Sequence, residues 1–275
     1  MKFEGIPDSI YGILRRDYFE SESEEIAEQV RRLGYAILDS GYTSEQLQFF
    51  VETFERVREQ YVKNWGESRL KSLNEFHTIR ALLTLGGGEI FVQLAMNPNL
   101  IAVIQKLIMG NFILNQQNGI INPPGETYNQ GVWHRDLPYQ HFVTSTPLAM
   151  NALFCLDDFD FENGSTFVLP ASHKSTNFPS DSYVHSNAVQ IKAKSGQYIL
   201  LDCMLFHSGG FNRTDKERRA INHVYNIPYF KQQINLPGNM HVDLSSEQMA
   251  LLGFNIQEPA SIEDYLASRS KKTVA

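Results

Sequence analysis

A chain of 275 residues with 42% hydrophobic side chains is long enough to bury a sizeable core. Its formal net charge of −7 argues against a nucleic-acid or anionic-membrane partner, since both need clustered Lys and Arg. Two cysteines, Cys155 and Cys203, are too few for a disulfide framework and form no C-x-x-C pair, which predicts buried free thiols in a reducing compartment.

The first 110 residues read as mostly helical. Ser21 with Glu24 three residues on predicts a capping box, and Gly34 a helix stop. "YAILDSGYT" predicts a short strand and turn. From Thr43, residues Leu47, Phe50, Val51, Phe54, Val57 and Tyr61 form one apolar stripe at helical spacing. "LGGGE" from Leu85 to Glu89 breaks the pattern as a turn. Asn97 followed by Pro98 predicts a cap and a first-turn proline opening a helix through Leu107. From Asn111 the texture changes to short β-prone segments: "NFILNQQNGIIN", "LAMNALFCLDDF", "STFVLPASH", "AVQIKAK", "GQYILLDCMLFH" and "RRAINHVYNIPY". Gly, Pro, Asn and Asp punctuate them, as in a β-sandwich or barrel. The expected organisation is one domain over 1–275, with a helical part to about 110, a β core over about 111–235 and a helical tail over about 236–275. The first twenty residues lack an uninterrupted apolar stretch, no window reaches the ~18 apolar residues of a membrane span, and the terminal "SKKTVA" is no peroxisomal address. A cytoplasmic location is expected.

Chemistry concentrates around "VWHRDLPYQH". On an extended chain His134 and Asp136 project to one face while Arg135 points away. So short a triplet also arises by chance. A third candidate, His207, is expected at the end of the strand "YILLDCMLFH". Two histidines and one carboxylate with open positions make the facial triad of non-heme Fe(II) oxygenases, although zinc accepts the same ligands. Arg218 lies across the turn "SGGFNRTDKE" and, if the flanking segments pair as a hairpin, returns beside His207. An arginine there suits a dicarboxylic keto acid: the keto end chelates metal and the distal carboxylate meets the guanidinium. Arg219 would face the other way, and it and Arg213 are expected to be solvated.

In this combination and order the chain resembles the phytanoyl-CoA dioxygenase family of Fe(II)/2-oxoglutarate-dependent oxygenases. The likeness spans residues 33–230 and rests on four stretches: "LGYAILDSGYTSEQLQ", "WHRD", "DDFDFENGSTFVLPASHK" and "LLDCMLFHSGGFNRTDKERRAIN". The family's N-G-x-x-x-x-x-P-G-S-H-K signature appears as Asn163, Gly164, Pro170, Ala171, Ser172, His173 and Lys174, with Ala171 where glycine is usual. The resemblance implies a double-stranded β-helix (jelly-roll) core, mainly β with flanking helices. It implies Fe(II) held by His134, Asp136 and His207, and Arg218 as the partner of the distal carboxylate of 2-oxoglutarate. Gln117 and Asn151 match positions near the co-substrate. The implied reaction is hydroxylation of a small molecule with O2, releasing succinate and CO2. Related halogenases replace the carboxylate by a small residue; Asp136 therefore favours hydroxylation. Two other readings remain: a non-catalytic jelly-roll binding protein, and a metal-dependent hydrolase on the same site.

Other polar residues have plainer readings. His173 is expected to be a structural hydrogen-bonding group, and His141, His185, His223 and His241 surface or satisfied ones. His77 and Arg80 could line the pocket or sit on a solvated helix. Tyr128, Asn129 and Tyr139 flank the metal motif and are candidates for substrate contact. "DDFDFE" is expected to be a solvated turn.

Overall fold

The computed structural model describes residues 7, 9–12, 19–86, 88–137, 142–237, 240 and 243–270. His141, His241 and Tyr139 lie outside them.

The N-terminal layer is helical, as the apolar periodicity predicts. Helix α1 (Glu22–Leu33) stops at Gly34, whose φ of 85° is left-handed. Its predicted capping box does not form: Ser21 Oγ meets Ser23 Oγ at 3.1 Å, and the Glu24 carboxylate instead accepts the Glu20 N–H at 3.0 Å. The chain continues through β1 (Tyr35–Asp39), α2 (Ser44–Trp65), α3 (Glu67–Ser72), β2 (Thr78–Ile79), α4 (Gly88–Ala95) and α5 (Pro98–Leu107). A capping box does open α2, between Thr43 and Gln46. At α5 the Asn97 side chain accepts the Leu100 N–H at 3.1 Å. Helix α4 begins inside the expected "LGGGE" turn. No single described helix is long and apolar enough to cross a membrane. The apolar pair α4 and α5 is bent by 51°, and both helices turn their apolar faces into the core.

The β region holds β3 (Ile113–Asn122), β4 (Ala149–Cys155), β5 (Phe167–Val168), the short helix α6 (Asp181–Asn187), β6 (Val189–Gln190), β7 (Gln197–Asp202), β8 (His207–Ser208) and β9 (Arg218–Asn226). Helices α7 (Ser246–Leu251) and α8 (Ile262–Ser270) follow. The strands form two sheets, β1-β7-β4-β9-β3-β2 and β6-β5-β8, with every pairing antiparallel. This is the expected mainly β core with flanking helices.

Strand parity places everything else. Ala152, Phe154, Tyr198, Leu200, Ile221 and Tyr225 face the helices and share one core with Phe54, Phe91, Val103 and their neighbours. The alternate residues Cys155, Ile199, Leu201 and Ala220 face the smaller sheet and pack with Val168, Ile191 and Leu205. The large sheet is thus buried on both faces along most of β3, β4, β7 and β9, although β3 and β9 carry many polar residues.

Two expectations about β7 and β9 are corrected. "YILLDCMLFH" is not one strand. Asp202 Oδ1 accepts the Met204 N–H at 2.8 Å and Asp202 O accepts the Leu205 N–H at 2.8 Å. This Asx-type turn carries the chain from the large sheet to the small one. Nor do His207 and Arg218 belong to a hairpin: β8 pairs with β5, whereas β9 pairs with β3 and β4.

Candidate active site between the two sheets

His134 and His207 are brought together by backbone pairing. Each N–H donates to the other's carbonyl, at 2.9 and 3.0 Å, in an isolated antiparallel bridge. The Asp136 N–H is held by Cys203 O at 3.0 Å. The metal motif therefore runs extended beside the segment that carries His207. Asp136 Oδ1 lies 3.9 Å from His134 Nε2 and 3.7 Å from His207 Nε2, and the three ligand atoms sit within 4.8 Å of one another. Both Nδ1 atoms are turned away from this centre, towards Val132 O at 2.7 Å and Leu205 O at 3.0 Å. Donation to those carbonyls fixes the tautomer that leaves each Nε2 lone pair free for a metal. Burial pushes the His207 ring below the ordinary histidine value, so the ring is neutral, as a ligand must be. Asp136 Oδ2 is occupied by Asn151 Nδ2 at 2.8 Å, which leaves Oδ1 aimed between the histidines.

Arg135 does point away, but into protein. Its guanidinium reaches the carbonyls of Ser172, Ser175 and Thr176 and stacks 4.0 Å from the Phe206 ring. It pins the metal motif to the "PASHK" turn. That turn in turn docks on α1: Ala171 N–H donates to Leu33 O at 2.7 Å, and His173 Nε2 lies 3.2 Å from Arg31 O. His173 is structural, as expected. Ala171 sits at φ 63°, the left-handed conformation for which the family uses glycine.

Arg218 enters from the opposite sheet. It is 2% exposed, donates to Gly164 O at 2.9 Å and to the Tyr128 hydroxyl at 3.3 Å, and lies 4.0 Å over the Phe159 ring. Among the described residues it has no ion pair with a carboxylate. Gly164, the glycine of the N-G signature, has φ 71° and would drive a Cβ to 2.4 Å from Gly210 O. Only glycine puts its carbonyl where the guanidinium needs it.

These residues line one open cleft, with Tyr128, Thr166, Gly209, Asn151 and Arg218 around the triad. Asn151 lies at the site, bonded to the Asp136 carboxylate. Gln117 does not. It has the wrong parity on β3: its amide faces the helices and donates to Phe91 O at 2.8 Å, while Ile120 lines the cleft. A register bulge between Leu114 and Gln116 sets that parity, and no sequence pattern announces it.

Several plain readings also change. Arg219 is not solvated: it makes a two-pronged pair with Asp157 at 2.7 and 2.9 Å and reaches Glu55 at 2.7 Å. The "DDFDFE" turn is consequently tied down, with Asp158 on Lys194 at 2.8 Å. Arg80 grips Glu75 with two nitrogens and lies on no helix, and His77 precedes β2. His223 is fully buried, with Nδ1 2.9 Å from Ala152 O.

Residues 30–220 match the family model described as "Phytanoyl-CoA dioxygenase (PhyH)". An uncharacterized protein of Mycobacterium tuberculosis is 26% identical over 258 residues, covering 90% of this chain and 93% of its own. The ectoine dioxygenase of Stutzerimonas stutzeri is 23% identical over 232 residues, covering 74% and 76%. Among solved structures, EctD from S. alaskensis with 2-oxoglutarate and 5-hydroxyectoine has a TM-score of 0.61 at 20% identity, covering 76% of this chain and 78% of that one. SnoN, the non-heme α-ketoglutarate-dependent epimerase from nogalamycin biosynthesis, has a TM-score of 0.57 at 21% identity, covering 81% and 90%. The family match spans well over half of the chain: this protein belongs to the phytanoyl-CoA dioxygenase family of Fe(II)/2-oxoglutarate-dependent oxygenases.

Proposed function

We propose that this protein hydroxylates a small-molecule substrate at an iron held by His134, Asp136 and His207, with 2-oxoglutarate as co-substrate and release of succinate and CO2. The observation that carries the reading is Arg218. A guanidinium buried to 2% exposure without a carboxylate partner among the described residues is costly unless an anion joins it. It lines the same cleft as three converging metal ligands. A hydrolytic metal site gives such a cation no task; a keto-dicarboxylate does.

The ligand set fits Fe(II): two neutral imidazoles and one carboxylate on one face, with the remaining positions open. Bound there, iron would supply the O2-dependent oxidation, and the protein would supply ligands and orientation. Asn151 holds Asp136 so that a single oxygen faces the metal. Arg218 orients the co-substrate by its far end. The ectoine dioxygenase relative and the EctD structure with 2-oxoglutarate support this reading by likeness.

The test is aerobic incubation of the protein with Fe(II), 2-oxoglutarate and a substrate panel, with succinate measured. Succinate formation that Asp136→Ala abolishes, and for which Arg218→Ala raises the KM for 2-oxoglutarate, is the expected result. Unchanged kinetics in Arg218→Ala would assign the anchoring role to another cation.

A further inference from the structure

Tyr128 lies on the segment between β3 and the metal motif and is 8% exposed. Its hydroxyl oxygen accepts from Arg218 Nη2 at 3.3 Å. That contact occupies an oxygen lone pair and leaves the O–H proton to be donated elsewhere. Among the described residues no hydrogen bond takes it. Arg218 Nε is likewise buried without a hydrogen-bond partner. The guanidinium and the phenol thus share one corner of the cleft, with the phenol O–H free to donate.

Gly209 makes this corner possible. A Cβ there would fall 2.0 Å from the Tyr128 hydroxyl and 2.8 Å from its ring Cζ. Its φ is not in the left-handed range, so space rather than backbone conformation demands the glycine. The two segments cannot simply part, because Gly209 N–H donates to Gln130 O at 2.8 Å. A side chain at position 209 would push the phenol off the guanidinium.

We infer that Tyr128 is a second anchor for the distal carboxylate of the 2-oxo dicarboxylate, and that Gly209 holds open the place its hydroxyl occupies. This rests on the assignment of Arg218 as the first anchor. The guanidinium takes one part of the carboxylate and the phenol O–H the other, an arrangement that favours a second carboxylate over a neutral or apolar chain end.

The test is isothermal titration of 2-oxoglutarate into anaerobic Fe(II)-loaded protein, comparing wild type, Tyr128→Phe, Gly209→Ala, their double variant and Arg218→Lys. Loss of one hydrogen bond to a charged group predicts about tenfold weaker binding in Tyr128→Phe, with iron affinity and the far-ultraviolet spectrum unchanged. Gly209→Ala should weaken binding similarly, and the double variant should fall short of the product of the two losses. Wild-type affinity in Tyr128→Phe with weak binding in Arg218→Lys would overturn this inference and leave the Arg218 assignment standing. Wild-type affinity in both would overturn both. A parallel loss of iron affinity in Tyr128→Phe would make Tyr128 a structural residue and overturn the anchoring role.

Discussion

At the scale of single residues, Asp136 is held by a neighbour: Asn151 Nδ2 donates to its Oδ2 at 2.8 Å. That bond needs β4 and the metal motif to be side by side, which no sequence pattern states. Removing a group that orients a metal ligand typically lowers metal affinity 10- to 100-fold. Asn151→Ala should therefore weaken iron binding by about that factor in a competition titration, and wild-type affinity would show that Asp136 is held by other means. Ala171 gives a second, independent case. A left-handed alanine costs about 1–2 kcal/mol, and the greater unfolded freedom of glycine returns roughly 0.4–1 of it. Ala171→Gly should stabilise the fold by about 0.5–1 kcal/mol, read as a raised urea midpoint; a lowered midpoint would mean that the methyl group is itself well packed.

At the scale of elements, the long helices and β3, β4, β7 and β9 followed from apolar runs and caps, whereas β5, β6 and β8 span two residues each and carry too little pattern to be bounded. The split of "YILLDCMLFH" turns on one carboxylate, Asp202, closing a turn inside an apolar run. The start of β9 is also set by tertiary contacts. Arg218 is flanked by Glu217, which Arg58 of α2 grips at 2.6 and 2.8 Å, and by Arg219, which Asp157 and Glu55 hold. Helix α2 thereby fixes the backbone from which Arg218 enters the cleft. Half-buried, two-pronged pairs of this kind contribute more than exposed ones. Arg219→Ala should cost about 2 kcal/mol in urea unfolding and weaken 2-oxoglutarate binding secondarily. A loss of only a few tenths of a kcal/mol, vanishing at high salt, would make the cluster a surface ornament.

At the scale of the whole molecule, the sandwich is buried on both faces of its large sheet, and this has a consequence for pH. His223 on β9 lies fully buried on the helix side, beside the Tyr198 and Tyr225 rings, and burial lowers its pKa to about 4. Unfolded histidine titrates near 6.5. The neutral ring costs nothing above that value. As pH falls from about 6.5 towards 4, the unfolded chain binds a proton that the folded chain refuses, and up to ~3 kcal/mol of stability is lost. Unfolding midpoints should fall between pH 7.5 and 5, and less steeply in His223→Gln; equal slopes would place the acid sensitivity elsewhere. The two-sheet architecture itself was legible from the change of texture at Asn111, but the crossing that brings β8 and β9 to one cleft from different sheets was not. The proposed activity requires that cleft to take metal and keto acid together. The most direct measurement is the visible spectrum of anaerobic Fe(II)-loaded protein titrated with 2-oxoglutarate. A keto acid chelated to Fe(II) at this triad predicts a charge-transfer band that saturates at one equivalent and is absent in Asp136→Ala. No band in the wild-type protein, with iron shown to be bound, would contradict it.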